Sequence, residues 1–249
     1  MFQIIKKNMY LIRENSHNNE ISTFYEKSER KFYKITCSKY GKKLIENEIN
    51  GISFFNSFNK KNKINYELDK NKNCHRLKVN LIKGKKTNYN YSFEKNFHYF
   101  EKFIDYYFFN WPKSEFQQCH GDLTLDNLIF NKKKISIFDW EHFQKSKKIF
   151  YGYDLIYLLI AGLILPGENN FDTQSKVKFK ELYKKLYKSS IKKRFLDNPI
   201  DNINKVISNV LIEQFMTSPH KFVTFNCKKK FLNQIKIFIN KEIINDRSK

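Results

Sequence analysis

The chain has 249 residues and a hydrophobic content of 41%, enough for one large domain or two lobes with a buried core. Its four cysteines lie far apart without a C-x-x-C pair, so we expect neither a disulfide scaffold nor a zinc knuckle, and a reducing cytoplasm as the location. Lysines interrupt the apolar stretch at the start of the sequence, which is not the pattern of a signal peptide. The longest apolar run, 155–165, is about half as long as a membrane-spanning helix.

The formal net charge of +22 raises the question of nucleic-acid binding. Only five of the 47 basic residues are Arg, the residue preferred for planar recognition of phosphates and bases. The abundant Lys, Asn, Ile, Phe and Tyr all have AT-rich codons, so a biased genome accounts for the charge. The composition therefore favours a protein without a nucleic-acid partner, and leaves peripheral contact with anionic surfaces open.

The first part of the chain is predicted to form a sheet with one helix. β-Branched and aromatic residues are typical of strands, apolar residues at helical spacing indicate the helix, and alternation of apolar and polar residues marks the last two strands. In chain order the elements are strands at 8–14, 20–27 and 31–37, a helix at 42–57, and strands at 64–68 and 76–82.

The second part is predicted to be mostly helical. Phenylalanines and an isoleucine recur in steps of three and four from Phe93 to Phe108, which marks one face of a helix. A hairpin is expected near 127–139, with helices after it. The outline is α+β, with a seam near residues 83–90 and domains at 1–84 and 85–249.

The stretch QQCHGDLTLDNLIF, residues 117–130, concentrates polar residues between these elements. Asp122 and Asn127 are separated by a short loop, and the hairpin can bring Asp139 back beside them. Three oxygen-bearing side chains together suit a hard cation such as Mg²⁺. The alternative is that these residues only cap turns, as Asp and Asn commonly do.

The spacing H-x-D-x-x-x-x-N from His120 to Asn127, followed by Asp139 after an apolar strand, matches the catalytic loop and metal-binding Asp of kinases. The forms HGD and FDWE resemble the aminoglycoside phosphotransferase and choline kinase family, over residues 117–160 well and over the first 116 loosely. The resemblance implies a two-lobed protein-kinase-like fold. It also implies ATP- and Mg²⁺-dependent phosphoryl transfer to a hydroxyl of a small molecule or saccharide, with GTP as the alternative donor.

The resemblance assigns a role to each residue of the motif. Asp122 would orient the attacking hydroxyl or accept its proton, and Asn127 and Asp139 would hold the Mg²⁺ ions. His120 would support the loop. Asp126 is one position out of the pattern, so we expect it to be a solvated turn residue.

The implied fold also needs a Lys on the third strand and a Glu on the next helix that pairs with it. Lys34 lies in the third strand, and Glu48 shares the apolar face of the helix whereas Glu46 points away. A carboxylate on that face is costly unless it is paired, which predicts a cation opposite Glu48. The alternative is that Lys34 lies on a solvent face.

Two further segments are interpreted through the resemblance. VNLIKGKKT, residues 79–87, is similar to the connector between lobes, which places an adenine edge against the backbone of Asn80, Leu81 and Ile82. No Gly precedes Gly41, so the glycine-rich loop of protein kinases is absent and the turn at 13–20 would cover the phosphates. Asp154, just before an apolar helix, is interpreted as its N-cap.

The acceptor is indicated only by charge. Residues 167–249 carry 18 Lys or Arg against eight Asp or Glu, a field that repels polycations. We therefore expect a neutral or anionic acceptor, such as a cell-envelope sugar, in preference to an aminoglycoside. An acidic pocket of Glu168, Asp172 and Glu213 is the alternative. The functional alternatives are a catalytically silent kinase-like binding module, a protein kinase, which the missing glycine loop disfavours, and a basic nucleic-acid-binding protein.

Overall fold

The computed structural model describes residues 9–14, 21–88, 90–132, 134–192, 206 and 229–244. The chain divides into two compact units, residues 1–85 with 129–144, and residues 86–128 with 145–249. The predicted domains, 1–84 and 85–249, stay a prediction. No pattern in the sequence indicated that residues 129–144 group with the first unit.

The first unit contains a five-stranded antiparallel sheet, and its five strands were predicted. Its strands follow the order β1-β2-β3-β5-β4, so β3 lies at the centre between β2 and β5. The bounds are Met9–Glu14 for β1, Ser22–Glu26 for β2, Lys31–Thr36 for β3, Tyr66–Lys70 for β4 and His75–Asn80 for β5.

Helix α1, Lys39–Phe58, packs against this sheet. It begins at Ser38, whose hydroxyl accepts a hydrogen bond from the Gly41 N–H at 2.9 Å. Its apolar face and the sheet share a core in which every side chain is less than a tenth exposed, made of Ile21, Leu44, Ile45 and Leu77. The predicted helix is confirmed, and its buried face is the one that carries Glu48.

Five further strands are short: β6 is Lys85–Lys86, β7 Gln117–Cys119, β8 Leu128–Asn131, β9 Lys134–Ile137 and β10 Gln144–Ser146. β8 and β9 are neighbours in one sheet and form the predicted hairpin. A 3₁₀ turn, Trp140–His142, follows and packs on α1. A Cβ on Gly51 of α1 would lie 2.5 Å from Cβ of Trp140, so only Gly permits this contact.

Helices make up most of the described part of the second unit. They are α2 at Phe93–Asn110, α3 at Tyr153–Ile164, α4 at Thr173–Lys192 and α5 at Lys229–Ile239, followed by a π-helical segment at Asn240–Ile244. Every residue of α3 is buried, so most of the longest apolar run of the sequence forms a core helix. The described part of the chain contains no helix whose length and apolar character would let it cross a bilayer. The predicted α+β outline is confirmed.

A disulfide bond joins Cys37 and Cys74, so the expectation that the chain has no disulfide was wrong at this pair. Thr36 of β3 is paired with His75 of β5, and the two cysteines are the next residues outward on these strands. They are 37 positions apart in the sequence, and strand pairing alone brings them together. A search for closely spaced cysteines cannot find such a pair. Cys119 is free and buried.

The disulfide should stabilise the first unit by restricting the unfolded chain. Closing a loop of 37 residues is worth about 3–4 kcal/mol by the chain-entropy estimate. We expect reductant to lower the free energy of unfolding of the unsubstituted protein by about that amount, measured by urea denaturation. The Cys37→Ala/Cys74→Ala variant, which keeps Cys119, should be equally destabilised and insensitive to reductant. If reductant lowered the free energy of unfolding of both proteins equally, a thiol other than these two would be responsible.

Candidate active site

Lys34, on β3, is the centre of a partly buried ionic cluster in the first unit. Its Nζ lies 2.6 Å from Glu48 Oε2, 2.7 Å from Asp139 Oδ1 and 2.8 Å from Glu141 Oε1. The Lys34 side chain is 14% exposed. The Lys34–Glu48 pair expected from the sequence is therefore formed, and Lys34 does not lie on a solvent face.

Local structure explains how the three carboxylates reach one ammonium group. The periodicity of α1 turns Glu48 toward the sheet. Asp139 follows β9 and has a left-handed backbone, with φ of 64°, which is unusual for a residue other than Gly. Glu141 lies in the next turn, where its carbonyl oxygen accepts a hydrogen bond from Asn47 of α1 at 3.1 Å. Backbone and packing together fix the cluster.

Among the described residues, a single ammonium, that of Lys34, contacts all three carboxylates. Burial works to lower the pKa of Lys34, but the charges of Asp139, Glu141 and Glu48 together raise it well above its ordinary value. Burial raises the pKa of Glu48 to about 7, against the opposing effect of Lys34. One oxygen from each carboxylate lies within 4.8 Å of the others. Hard oxygen donors with excess negative charge fit a divalent cation such as Mg²⁺.

The HGD loop of the second unit is held by a carboxylate from α3. Asp154 accepts hydrogen bonds from the backbone N–H of His120 at 2.9 Å and of Gly121 at 3.2 Å. Gly121 has φ of 84°, a left-handed conformation in which Gly costs little. His120 is fully buried, and its Nδ1 faces the Asp122 N–H at 3.4 Å. A supporting role for His120 stays a prediction.

The interpretation of Asp154 as a helix cap was wrong. The N-cap position of α3 is Gly152, and the Asp154 carboxylate bonds to the HGD loop instead. Asp154 has no solvent exposure. Burial raises its pKa to about 7, although the N–H groups of His120 and Gly121 work in the opposite direction. The residue couples a core helix to the loop that carries Asp122.

Asp122 and Asn127 contact each other through the loop. The Asn127 Nδ2 donates to the Asp122 carbonyl oxygen at 2.9 Å, so the acceptor atom of this side chain, Oδ1, is not used in that contact. The Asp122 carboxylate accepts a hydrogen bond from the hydroxyl of Tyr157 at 2.5 Å. Asp126 lies 3.7 Å from the ammonium of Lys86 and is partly exposed, in keeping with a turn residue.

The predicted site residues are divided between the two units. Asp139 belongs to the first unit with Lys34, whereas Asp122 and Asn127 belong to the second. Their convergence on one metal site stays a prediction.

Asn80, Leu81 and Ile82, predicted to contact adenine, line a cavity of about 280 Å³ in the first unit. The Asn80 N–H donates to the Asn65 carbonyl oxygen at 3.2 Å, and the Leu81 N–H to the Arg30 carbonyl oxygen at 2.8 Å. Of these three backbone N–H groups, only that of Ile82 has no hydrogen-bond acceptor among the described residues. Adenine binding by these residues stays a prediction.

Two residues of the site, Glu141 and Tyr157, were missed from the sequence. Glu141 was noticed only as part of FDWE, and its position two residues after Asp139 was the available signal. Tyr157 stands three residues after Asp154 in α3, and this helical spacing places both side chains on one face. No sequence pattern indicated that this face of a core helix meets the HGD loop.

Comparison with known proteins gives a family match for part of the chain. Residues 81–186 match the model of the phosphotransferase enzyme family. No curated protein matches the chain. Similar solved structures include the GDP complex of an aminoglycoside 2′-phosphotransferase IIIa mutant, with 12% identity and a TM-score of 0.44 over 84% of this chain and 92% of that one. An amicoumacin kinase with AMP-PNP and Ca²⁺ has 10% identity and a TM-score of 0.45 over 93% and 89%.

Removing the cation of the cluster should destabilise the protein in a pH-dependent way. Lys34→Met removes the ammonium that Glu48, Asp139 and Glu141 share, which should cost about 3–5 kcal/mol at pH 7.5. The folded pKa of Glu48 is already raised to about 7 from 4.5, so protonation favours the folded state at low pH. The loss should therefore shrink as the pH falls from about 7 to 4.5. Urea denaturation across this range measures it.

Two further variants make this test specific. Lys31→Met lies on the same strand and removes an ammonium that contacts the exposed Glu67 at 3.0 Å, so it should change stability little at any pH. Adding Glu48→Gln to Lys34→Met should restore part of the lost stability, because one buried negative charge is removed. A loss that is independent of pH, or additive effects of the two substitutions, would contradict the cluster as described.

Proposed function

We propose a function from the match of residues 81–186 to the model of the phosphotransferase enzyme family. The resemblance and the enzyme class expected from the sequence, a phosphotransferase with an alcohol group as acceptor, are confirmed by that match. The specific proposal is Mg²⁺-dependent transfer of the γ-phosphoryl group of ATP, with GTP as the alternative donor, to a hydroxyl of a small molecule or saccharide.

The observation that carries the proposal is the placement of Asp122. Its loop is bound to α3 through Asp154, and its carboxylate is held by Tyr157. A carboxylate fixed at the end of a rigid loop can accept a hydrogen bond from an acceptor hydroxyl and take its proton as the phosphoryl group is transferred. Positioning of this kind is the main contribution that phosphoryl transfer requires from a protein.

The Lys34 cluster would bind the nucleotide phosphates. In this proposal the ammonium of Lys34 contacts phosphate oxygens and Glu48 holds it in place. Asn127 and Asp139 would hold Mg²⁺, and Glu141 offers a further carboxylate beside Asp139. The metal, when bound, supplies neutralisation of the charge on the phosphates. The Ile82 backbone would receive the adenine edge.

A neutral or anionic acceptor, such as a cell-envelope sugar or lipid-linked saccharide, is the proposed substrate class. Most charged side chains of α4 are Lys, which supports a surface that repels polycations. Of the residues considered for an acidic pocket, Asp172 accepts the Ser175 N–H at 2.7 Å as a cap of α4. Glu168 lies in a 3₁₀ turn, and Glu213 is outside the described residues.

A cytoplasmic location, where ATP and Mg²⁺ are supplied, is part of the same proposal. Cytosolic thiols are mostly kept reduced, so the Cys37–Cys74 pair would be opened there for part of the time. Of the turn at 13–20, expected to cover the phosphates, residues 15–20 lie outside the described residues.

Replacing the proposed base should abolish turnover while nucleotide binding remains. We expect Asp122→Asn to lower phosphoryl transfer by about 10²–10⁴-fold, the usual contribution of a positioned acid–base group. Mg²⁺-ATP should still raise the melting temperature of the variant, because the metal ligands are unchanged. Asp126→Asn, four residues away in the same loop, is the matched control and should be nearly silent. Similar effects of both substitutions would mean that the assigned register of the loop is wrong.

The acceptor class can be tested with matched panels of hydroxyl compounds. Transfer of radiolabelled γ-phosphate from ATP should be measured against neutral sugars, anionic glycans, choline and aminoglycosides at low and high salt. We expect turnover of neutral or anionic saccharides and, for a cationic acceptor, a KM that falls as salt screens repulsion. Efficient phosphorylation of kanamycin without turnover of any sugar would contradict the proposed acceptor. Nucleotide binding without turnover of any compound would favour a silent binding module.

A further inference from the structure

We propose that Tyr157 is a positioning residue for Asp122, and that its hydroxyl fixes which carboxylate oxygen faces the acceptor. The inference rests on the proposed function, because it takes Asp122 as the group that meets the acceptor hydroxyl. It adds a residue from the core of the second unit to the machinery of transfer.

The contact is built from rigid parts. The Tyr157 side chain is about 1% exposed, and every residue of α3 around it is buried. Its hydroxyl donates to Asp122 Oδ1 at 2.5 Å. Asp154, three residues earlier, binds the backbone of the same loop. One helical face therefore holds both the loop and the carboxylate that the loop presents.

The hydrogen bond selects an orientation of the carboxylate. The terminal torsion of an Asp side chain is broad, so an unrestrained carboxylate can exchange its two oxygens. A donor fixed on Oδ1 removes that freedom and leaves Oδ2 for the acceptor hydroxyl. Burial, followed by the charge of Asp122, raises the pKa of Tyr157 well above its ordinary value. Tyr157 thus remains a donor throughout the reaction and does not compete with Asp122 for the proton.

The first test is Tyr157→Phe, which removes only the hydroxyl. We expect turnover to fall about 10- to 100-fold, the effect of a small misplacement of a reacting group. The dissociation constant for Mg²⁺-ATP, measured by calorimetry, should stay within about twofold, because Tyr157 contacts no proposed nucleotide ligand. Tyr151→Phe is the matched control. It removes another buried hydroxyl of this unit, one that donates to the Trp111 carbonyl oxygen at 3.4 Å, and should leave turnover unchanged.

A double-mutant cycle with Asp122→Asn separates positioning from a structural effect. If Tyr157 acts through Asp122, Tyr157→Phe should lower the residual rate of the Asp122→Asn protein by less than about twofold. An equal loss in both backgrounds, unchanged turnover in the single variant, or a variant that unfolds or loses nucleotide affinity would overturn the inference. If the unsubstituted protein neither hydrolyses ATP nor transfers phosphate to any acceptor, the proposed function itself is wrong. That outcome differs from a failure of the inference about Tyr157 alone.

Discussion

A buried charge is stable only where it finds partners, and each unit of this protein is arranged around one such group. In the first unit the ammonium of Lys34 joins the central strand to α1 and to the turn after β9. In the second, the carboxylate of Asp154 joins a core helix to the HGD loop. Breaking either contact leaves an uncompensated charge in a packed interior, so both tie local geometry to the stability of the fold.

Elements defined by periodicity could be predicted from the sequence. β-Branched and aromatic composition located the first three strands of the first sheet, alternation the last two, and helical spacing α1 and α2, with ends that differ from the structure by a few residues. The same reasoning placed Glu48 on the buried face of α1 and required a cation opposite it, and the structure has Lys34 there. A costly buried charge is informative because few residues can satisfy it.

Contacts between distant segments could not be predicted in this way. Cys37 and Cys74 meet because β3 pairs with β5, and local spacing carries no trace of that pairing. In the sequence Asp154 resembles a helix cap, and only the hydrogen bonds from the HGD loop to its carboxylate show the role that it has. The sequence does not distinguish Tyr157 from the other residues of the apolar helix. Its role follows only from the hydrogen bond between its hydroxyl and Asp122. Where the sequence allows two roles for a side chain, the tertiary structure decides between them.

The backbone of Asp139 connects packing with the proposed chemistry. A left-handed residue other than Gly costs about 1–2 kcal/mol and persists only where its surroundings hold it. On one side Lys34 binds the Asp139 carboxylate, and on the other the buried Trp140 packs into the space that Gly51 leaves on α1. An extended backbone at Asp139 would redirect both side chains at once. Trp140 therefore keeps the Asp139 carboxylate directed at Lys34. It supports the site although its own side chain packs against α1.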